Sequence, residues 1–340
     1  MTLKKMTKHK KFKPHTAVLA VTYNCNARCR MCNIWKKESK GEMSPKDYLR
    51  LPKSLDDINI SGGEPFLRND LLEILDNVMK RCNPSKLVIS TNGFLTKRVI
   101  SISKEILKRD YASRVTIAIS LDAIGVKHGE IRGIPDAFGI VNKTIMDLKE
   151  INFKNIGIGF TFMDGNEDEY SKVFDYAEKN NLNFGATIAH NSDNYFSTES
   201  NTKADVEKIE KQVNYYINKK ITSFKKNELG KSYYMHGISY YASSGKTLVG
   251  CDAMRGSFFL DPKGDIFPCN ILSVKAGNIL EKSFDEIWNS ALSNIIRCKA
   301  KNCKTPCWMV CTAKPGIKKH WFKTGMWILR EKFRKLTINN

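Results

Sequence analysis

The chain has 340 residues, 41% hydrophobic and 27% charged, a length that supports a large domain plus a smaller one and a composition that excludes a disordered chain. No apolar run is long enough to span a bilayer, and Ala17–Val21 is too short for a signal-peptide core, so residence in the cytoplasm is expected. The formal charge of +21 is concentrated at the ends: Lys4, Lys5, Lys8, Lys10, Lys11 and Lys13 carry no acid among them, and Lys314 to Lys335 carry eight cations and one acid, Glu331, a pattern of either an anionic partner surface or solvated tails.

Thr16–Tyr23 reads as a buried strand and leads into a cysteine-rich loop. Ser44-Pro45 opens a short helix. Asp57–Ser61 is a second strand, ended by Gly62-Gly63. Asn69 to Arg81 is helical, with Leu71, Leu72, Leu75 and Val78 on one face. Lys86–Ser90 is a third strand, broken by Thr91-Asn92-Gly93, and Lys97–Lys108 is its helix. Arg114–Leu121 is a fourth strand, followed by a helix from about Asp136 to Ile151. Ile156–Phe162, the helix Glu167–Lys179 and the strand Phe184–Ala189 complete the series. Six strand–helix alternations predict a parallel sheet, doubly wound or curled into a barrel. Ligand loops of such sheets lie at the C-terminal strand ends. The cysteine loop, Gly62-Gly63, Thr91-Asn92-Gly93 and Leu121-Asp122 therefore converge on one face. Beyond Thr198 a polar helix with the stripe Val206, Ile209, Val213 and Tyr216 reads as a packing helix between domains. The second domain begins near Gly250, with short strands and the turn Asp261-Pro262-Lys263-Gly264.

Ten cysteines and no secretory signal favour metal over disulfides. Cys25, Cys29 and Cys32 share one loop, and three thiolates can hold three irons of a cubane cluster with the fourth iron open. Zinc held by these cysteines and His15 is the alternative, disfavoured because the spacing is not a pair of C-x2-C knuckles. Cys82, alone at the end of a helix, reads as a small buried hydrophobe.

The C-x3-C-x2-C loop after the first strand resembles that of the radical S-adenosylmethionine (SAM) superfamily. Ser61-Gly62-Gly63-Glu64-Pro65 resembles its GGEP motif, Ser90-Thr91-Asn92-Gly93 its third-strand segment, and Ser120-Leu121-Asp122 its fourth-strand motif. The resemblance covers about residues 15–195 and implies a partial (β/α)6 barrel. It implies that Cys25, Cys29 and Cys32 hold a [4Fe–4S] cluster whose open iron chelates SAM. An electron, from a reductant such as flavodoxin or ferredoxin, then breaks the S–C5′ bond, and the 5′-deoxyadenosyl radical abstracts a hydrogen. Gly62, Gly63, Glu64, Pro65, Ser90, Asn92 and Ser120 would contact SAM. Glu64 is expected to face the ligand rather than the core, and Asp122 to act at the ribose or substrate. Met31 stands where many members carry an aromatic beside adenine.

The cysteines Cys251-x12-Gly264-x4-Cys269 and Cys298-x4-Cys303-x3-Cys307-x3-Cys311 resemble the opening and part of the SPASM/Twitch extensions of the same superfamily, a small α+β domain. Six cysteines are too few for two fully cysteine-ligated cubanes, so one auxiliary [4Fe–4S] cluster is expected on Cys251, Cys269, Cys311 and either Cys307 or Cys303, with Cys298 spare. A zinc knuckle is the alternative.

Near the C-terminus Phe322, Met326, Leu329, Phe333 and Leu336 repeat at 4-3-4-3 spacing, widened by Trp321, Trp327 and Ile328, opposite a basic face. Such a helix either lies in an anionic membrane interface, here at the inner face, or packs on its own domain. The expected organisation is a basic tail at 1–14, the radical SAM core at 15–197, a linker helix region at 198–249, the SPASM/Twitch-like domain at 250–313 and the amphipathic helix at 314–340. The expected substrate is a lipid-linked or surface-polymer precursor. The alternatives are a ribosomally made peptide, an RNA, or no substrate at all in a non-catalytic Fe–S protein. Nucleic acid is not an expected partner, since no RNA-binding module accompanies the core.

Overall fold

The computed structural model describes residues 12–201, 204–303 and 307–338. The lysines Lys4, Lys5, Lys8, Lys10 and Lys11 lie outside the described residues. Six parallel strands run β1 (Thr16–Ala20), β2 (Asp57–Ser61), β3 (Lys86–Thr91), β4 (Val115–Ser120), β5 (Ile156–Phe162) and β6 (Asn183–Ile188), each paired with its neighbour in sequence. That order has no switch point, so the sheet is singly wound, as an incomplete barrel is. The crossovers are α1 (Leu71–Cys82), α2 (Thr96–Leu107), a short α3 (Val126–Arg132), α4 (Ala137–Glu150) and α5 (Tyr170–Lys179).

Strand alternation makes two different faces. Ile58, Ile60, Leu87, Ile89, Ile117 and Ile119 are buried in the core shared with the helices. The opposite row, Asn59, Ser61, Ser90, Ala118, Ser120, Gly159 and Thr161, is small or polar and only half-buried. Small and polar side chains of this kind suit a ligand-facing surface better than an apolar core.

From β6, at one sheet edge, the chain returns to the other edge through α6 (Val206–Lys220) and α7 (Lys226–Ser244). The expected stripe on α6 holds for Ile209, Val213 and Tyr216, which are buried. The cysteine-rich part then begins with β7 (Ser257–Leu260), which pairs parallel with β1, Thr16 opposite Ser257. Strands β8 (Asp265–Phe267) and β9 (Gly277–Asn278) follow antiparallel. One nine-stranded sheet therefore crosses the expected boundary near Gly250. Helices α8 (Phe284–Trp288), α9 (Ala291–Lys301), α10 (Val310–Lys319) and α11 (Trp321–Ile338) complete the fold.

Helix α7 anchors the last cysteines. Trp308 packs so closely over Gly237 that a Cβ there would sit 2.0 Å from its ring. The Trp308 indole donates to the Tyr234 carbonyl (2.8 Å), and the Tyr234 hydroxyl donates to the Trp308 carbonyl (3.2 Å). No helix among the described residues is long and apolar enough to cross a membrane.

Candidate active site

The loop carrying Cys25, Cys29 and Cys32 leaves β1 and is held from two sides. Arg28 and Arg30 donate backbone N–H groups to the carbonyls of Arg132 and Ile131 at the end of α3, both at 2.9 Å. On the other side Gly63 N–H donates to the Thr22 carbonyl and Glu64 N–H to the Asn24 carbonyl, both at 2.8 Å. A Cβ on Gly62 would lie 2.5 Å from the Thr22 oxygen, and one on Gly63 2.1 Å from the Asn24 oxygen. These glycines thus let the end of β2 close against the cysteine loop, where the sequence alone suggested an approach to SAM.

Three thiols with little compensating charge are brought together here. Burial, with the charge of neighbouring cysteines, pushes Cys25 up to about 11 and Cys32 up to about 12. Such a donor set fits iron, which binds thiolates and releases their protons. A cubane gives each thiolate its own iron, so the sulfurs need not converge as ligands of a single ion do. Among the described residues no three His, Cys, Asp or Glu side chains converge in that way.

Glu64 differs from expectation. Its carboxylate is fully buried and accepts from Asn92 N–H (2.7 Å), the Thr91 hydroxyl (2.8 Å) and Phe66 N–H (3.1 Å). It latches β2 to β3, and the Asn92 amide extends the latch to Asn26 in the cysteine loop (2.7 Å). Pro65 is buried beside it, and the Ser90 hydroxyl donates to Asn59 (3.0 Å). The Ser120 hydroxyl has no partner among the described residues and lies in the lumen-facing row. Burial raises Glu64 from about 4.5 to about 7. A raised pKa in the fold means a stabilising contribution that is full below the unfolded value and lost as pH rises through the folded one. The melting temperature of wild type minus that of Glu64→Gln should therefore shrink between about pH 4.5 and about pH 7 and level off above it. Glu64→Ala strands three donors and should cost about 3 kcal/mol or more, and a melting curve unchanged by Glu64→Ala would contradict the latch.

Asp122 also departs from an open catalytic carboxylate. It is fully buried, ion-paired with Arg132, and accepts from Thr161 N–H (2.8 Å). The Arg132 guanidinium in turn donates to Cys29 Sγ (3.5 Å). Burial opposes its charge, but Asp122 and Cys29 outweigh burial and hold Arg132 above its ordinary value. Asp122 thus reaches the cysteine site through Arg132, as a positioning residue. Met31 packs with Ala123, Ile131 and Met163, near Cys29, Cys32 and Ala189.

The loop after β6 was missed by sequence reasoning. The Tyr195 hydroxyl bonds Ser61 (2.7 Å) and donates to the Gly62 carbonyl (3.0 Å). Phe196 packs against two apolar groups, one with Tyr23, Ile34 and the cysteines Cys25 and Cys32, the other with Ala253, Ile271 and Cys269. An aromatic pair in an otherwise polar loop was the available signal. His190, in the same loop, is buried and held neutral: burial pushes it down to about 4.

The second cysteine group gathers beside this loop. Cys307 feels the charges of Cys269, Cys251 and Cys311, and Cys251 and Cys269 feel Cys303. Cys251 Sγ accepts from Ala253 N–H (3.4 Å), and Cys269 Sγ from Leu272 N–H (3.2 Å). Burial pushes Cys269 to about 11 and Cys311 to about 12, the same chemistry of crowded thiols. Cys298 is exposed on α9. Cys82 is buried and donates to the Pro52 carbonyl (3.5 Å), as a small core residue does.

A six-stranded parallel half-barrel with three cysteines on the loop after its first strand, and a second cysteine group packed through Phe196 beside them, is the architecture of a radical SAM enzyme. Residues 19–177 match the model of the radical SAM superfamily, and residues 251–312 match SPASM, an iron–sulfur cluster-binding domain. The chain belongs to that superfamily, and its cofactors are SAM, a [4Fe–4S] cluster and auxiliary iron–sulfur. It is similar to an AdoMet-dependent heme synthase of Methanosarcina barkeri, 28% identical over 82% of this chain and 83% of that one. It is also similar to the sporulation killing factor maturation protein SkfB of Bacillus subtilis, 24% identical over 86% and 68%. In fold it resembles anSMEcpe with bound AdoMet, at 16% identity and TM-score 0.64 over 96% of this chain and 99% of that one. The SAM-bound SuiB of Streptococcus suis has TM-score 0.61 at 19% identity, over 84% and 68%.

Proposed function

We propose that the enzyme cleaves SAM to start hydrogen abstraction from an amphiphilic substrate met at an anionic membrane surface, such as a lipid-linked sugar or a surface-polymer precursor. The carrying observation is α11. Phe322, Met326, Leu329, Phe333 and Leu336 are 58–66% exposed, while the helix docks through other residues. Trp327 stacks on His236 (centroids 4.8 Å apart) and meets Tyr233 edge-on (5.4 Å), and Thr324 is buried. The two alternatives for this helix are thus divided between its faces. Phe224, from the loop between α6 and α7, is 95% exposed and lies under Lys332, whose ammonium is 5.1 Å from its ring. Apolar side chains from two elements, with Lys323, Arg330 and Arg334 exposed among them, suit a peripheral contact with the inner face of a membrane. The heme synthase relative fits this reading, since heme pairs an apolar ring with carboxylates.

When bound, the cluster on Cys25, Cys29 and Cys32 supplies the electron that breaks the S–C5′ bond of SAM. Around it, Ser120 faces the SAM site, and Gly62 to Pro65, Ser90 and Asn92 hold its walls. We assign the auxiliary cluster to Cys251, Cys269, Cys307 and Cys311, because Cys307 packs against the apolar group that holds Cys269 and lines one small cleft with Cys251. A one-electron carrier such as flavodoxin or ferredoxin supplies the reducing equivalents.

Replacing Phe322, Leu329 and Phe333 together by Ser should weaken co-sedimentation with vesicles of anionic lipid about a hundredfold. This takes about 1 kcal/mol for each half-buried apolar side chain. Added salt should weaken wild-type binding as well. A wild-type chain that ignores anionic vesicles would remove the membrane reading and favour peptide maturation, which the similarity to SkfB over most of the chain supports.

A further inference from the structure

We propose that the surface around Cys251 is the docking site of an acidic one-electron carrier, so that electrons enter at the auxiliary cluster. This rests on the assignment of that cluster and of the carrier above. Of the four assigned cysteines Cys251 is the exposed one, while Cys269 is buried and Cys307 and Cys311 are half-buried. The three segments that surround it, 245–256, 297–303 and 314–323, hold nine cations and one acid in sequence. That acid, Asp252, is buried and paired with Lys319, Arg297 is buried and Lys314 pairs with Asp57, so Lys246, Arg255, Lys299, Lys301, Lys318 and Lys323 set a positive outward field.

The cations are placed by contact. Lys319 reaches Asp252, next to Cys251, and Lys323 donates to the Leu248 carbonyl (3.3 Å). Lys246 is exposed at the start of the same segment, and Lys299 and Lys301 are exposed at the end of α9, which leads into Cys303. Leu292 and Ile295, exposed on the same helix, add apolar spots among the charges, the mixture that protein partners use. An acidic protein is steered to such a face, and its binding weakens with salt.

The SAM-site loop carries exposed cations of its own, Arg28, Arg30 and Lys36, but its cysteines are half-buried where Cys251 is exposed. Their loop is flanked by α3, by the end of β2 and by the loop carrying Tyr195 and Phe196, and it faces the lumen that holds SAM. Phe196 packs against the apolar groups around both cysteine sets, which gives a continuous packed path between them. The electron balance is simple: the reduced carrier gives up one electron, the auxiliary cluster gains it, and no proton need move.

The test uses cluster-loaded full chain and two reduced probes, a flavodoxin and a ferredoxin, at low salt without oxygen. Lys246→Glu, Lys299→Glu and Lys301→Glu are combined in one variant. Lys80→Glu, Lys97→Glu and Lys104→Glu, an equal charge change on exposed positions of the outer helices, form the control. Carrier binding and the rate of cluster reduction should fall at least tenfold in the first variant and stay within twofold of wild type in the control. Dithionite should reduce both variants to the wild-type spectrum, and vesicle binding should be unchanged. Equal losses in both variants would mean net charge rather than a docking site, and would overturn the proposal. Loss of vesicle binding alone would assign the face to lipid and also overturn it. If neither carrier reduces even the wild-type chain, the carrier reading itself fails.

Discussion

Arg132→Met should destabilise the chain by about 3–5 kcal/mol, because it leaves the fully buried Asp122 carboxylate without its cation. Adding Asp122→Asn removes the orphaned charge, and the double variant should recover most of that loss. Activity should not recover with it. The Arg132 guanidinium is the donor to Cys29 Sγ, and hydrogen bonds to the sulfurs are among the determinants of a cluster's potential. The double variant should therefore show a more negative potential for the SAM-site cluster, followed by electron paramagnetic resonance during titration. Its yield of 5′-deoxyadenosine should be lower at fixed reductant. A double variant with wild-type potential and yield would reduce the pair to a structural ion pair.

The six strands and the cysteine loop were legible because their signals are local. Alternation such as Asp57-Ile-Asn-Ile-Ser61 marks a half-buried strand, and Gly62-Gly63 marks its end. The stripe on α11 was legible from 4-3 spacing, but the docking face was not: Trp327 and Ile328 hold the helix and leave the stripe exposed. Helix α3 was missed because it has seven residues, with Gly129 inside. Helix α7 was missed because Tyr233, Tyr234, Met235 and Ile238 are buried on several sides at once, so no stripe forms. The pairing of β7 with β1 joins residues about 240 apart in sequence, which no local pattern encodes. Glu64 and Asp122 illustrate the same limit at the site. A carboxylate at a strand end is open or buried according to its partners, and those partners, Thr91 and Asn92 for one and Arg132 for the other, are contributed by other strands and helices.

The central claim is that Cys25, Cys29 and Cys32 alone carry the chemistry on SAM while the second group holds a separate cluster. Iron content and 5′-deoxyadenosine formation, measured together after anaerobic reconstitution with dithionite as reductant, test it most directly. Wild type should hold about eight irons per chain, as two cubanes require. Replacing Cys25, Cys29 and Cys32 by Ala should leave about four and abolish 5′-deoxyadenosine. Replacing Cys251, Cys269, Cys307 and Cys311 should also leave about four, with SAM cleavage retained. SAM cleavage that survives the loss of Cys25, Cys29 and Cys32 would contradict the account.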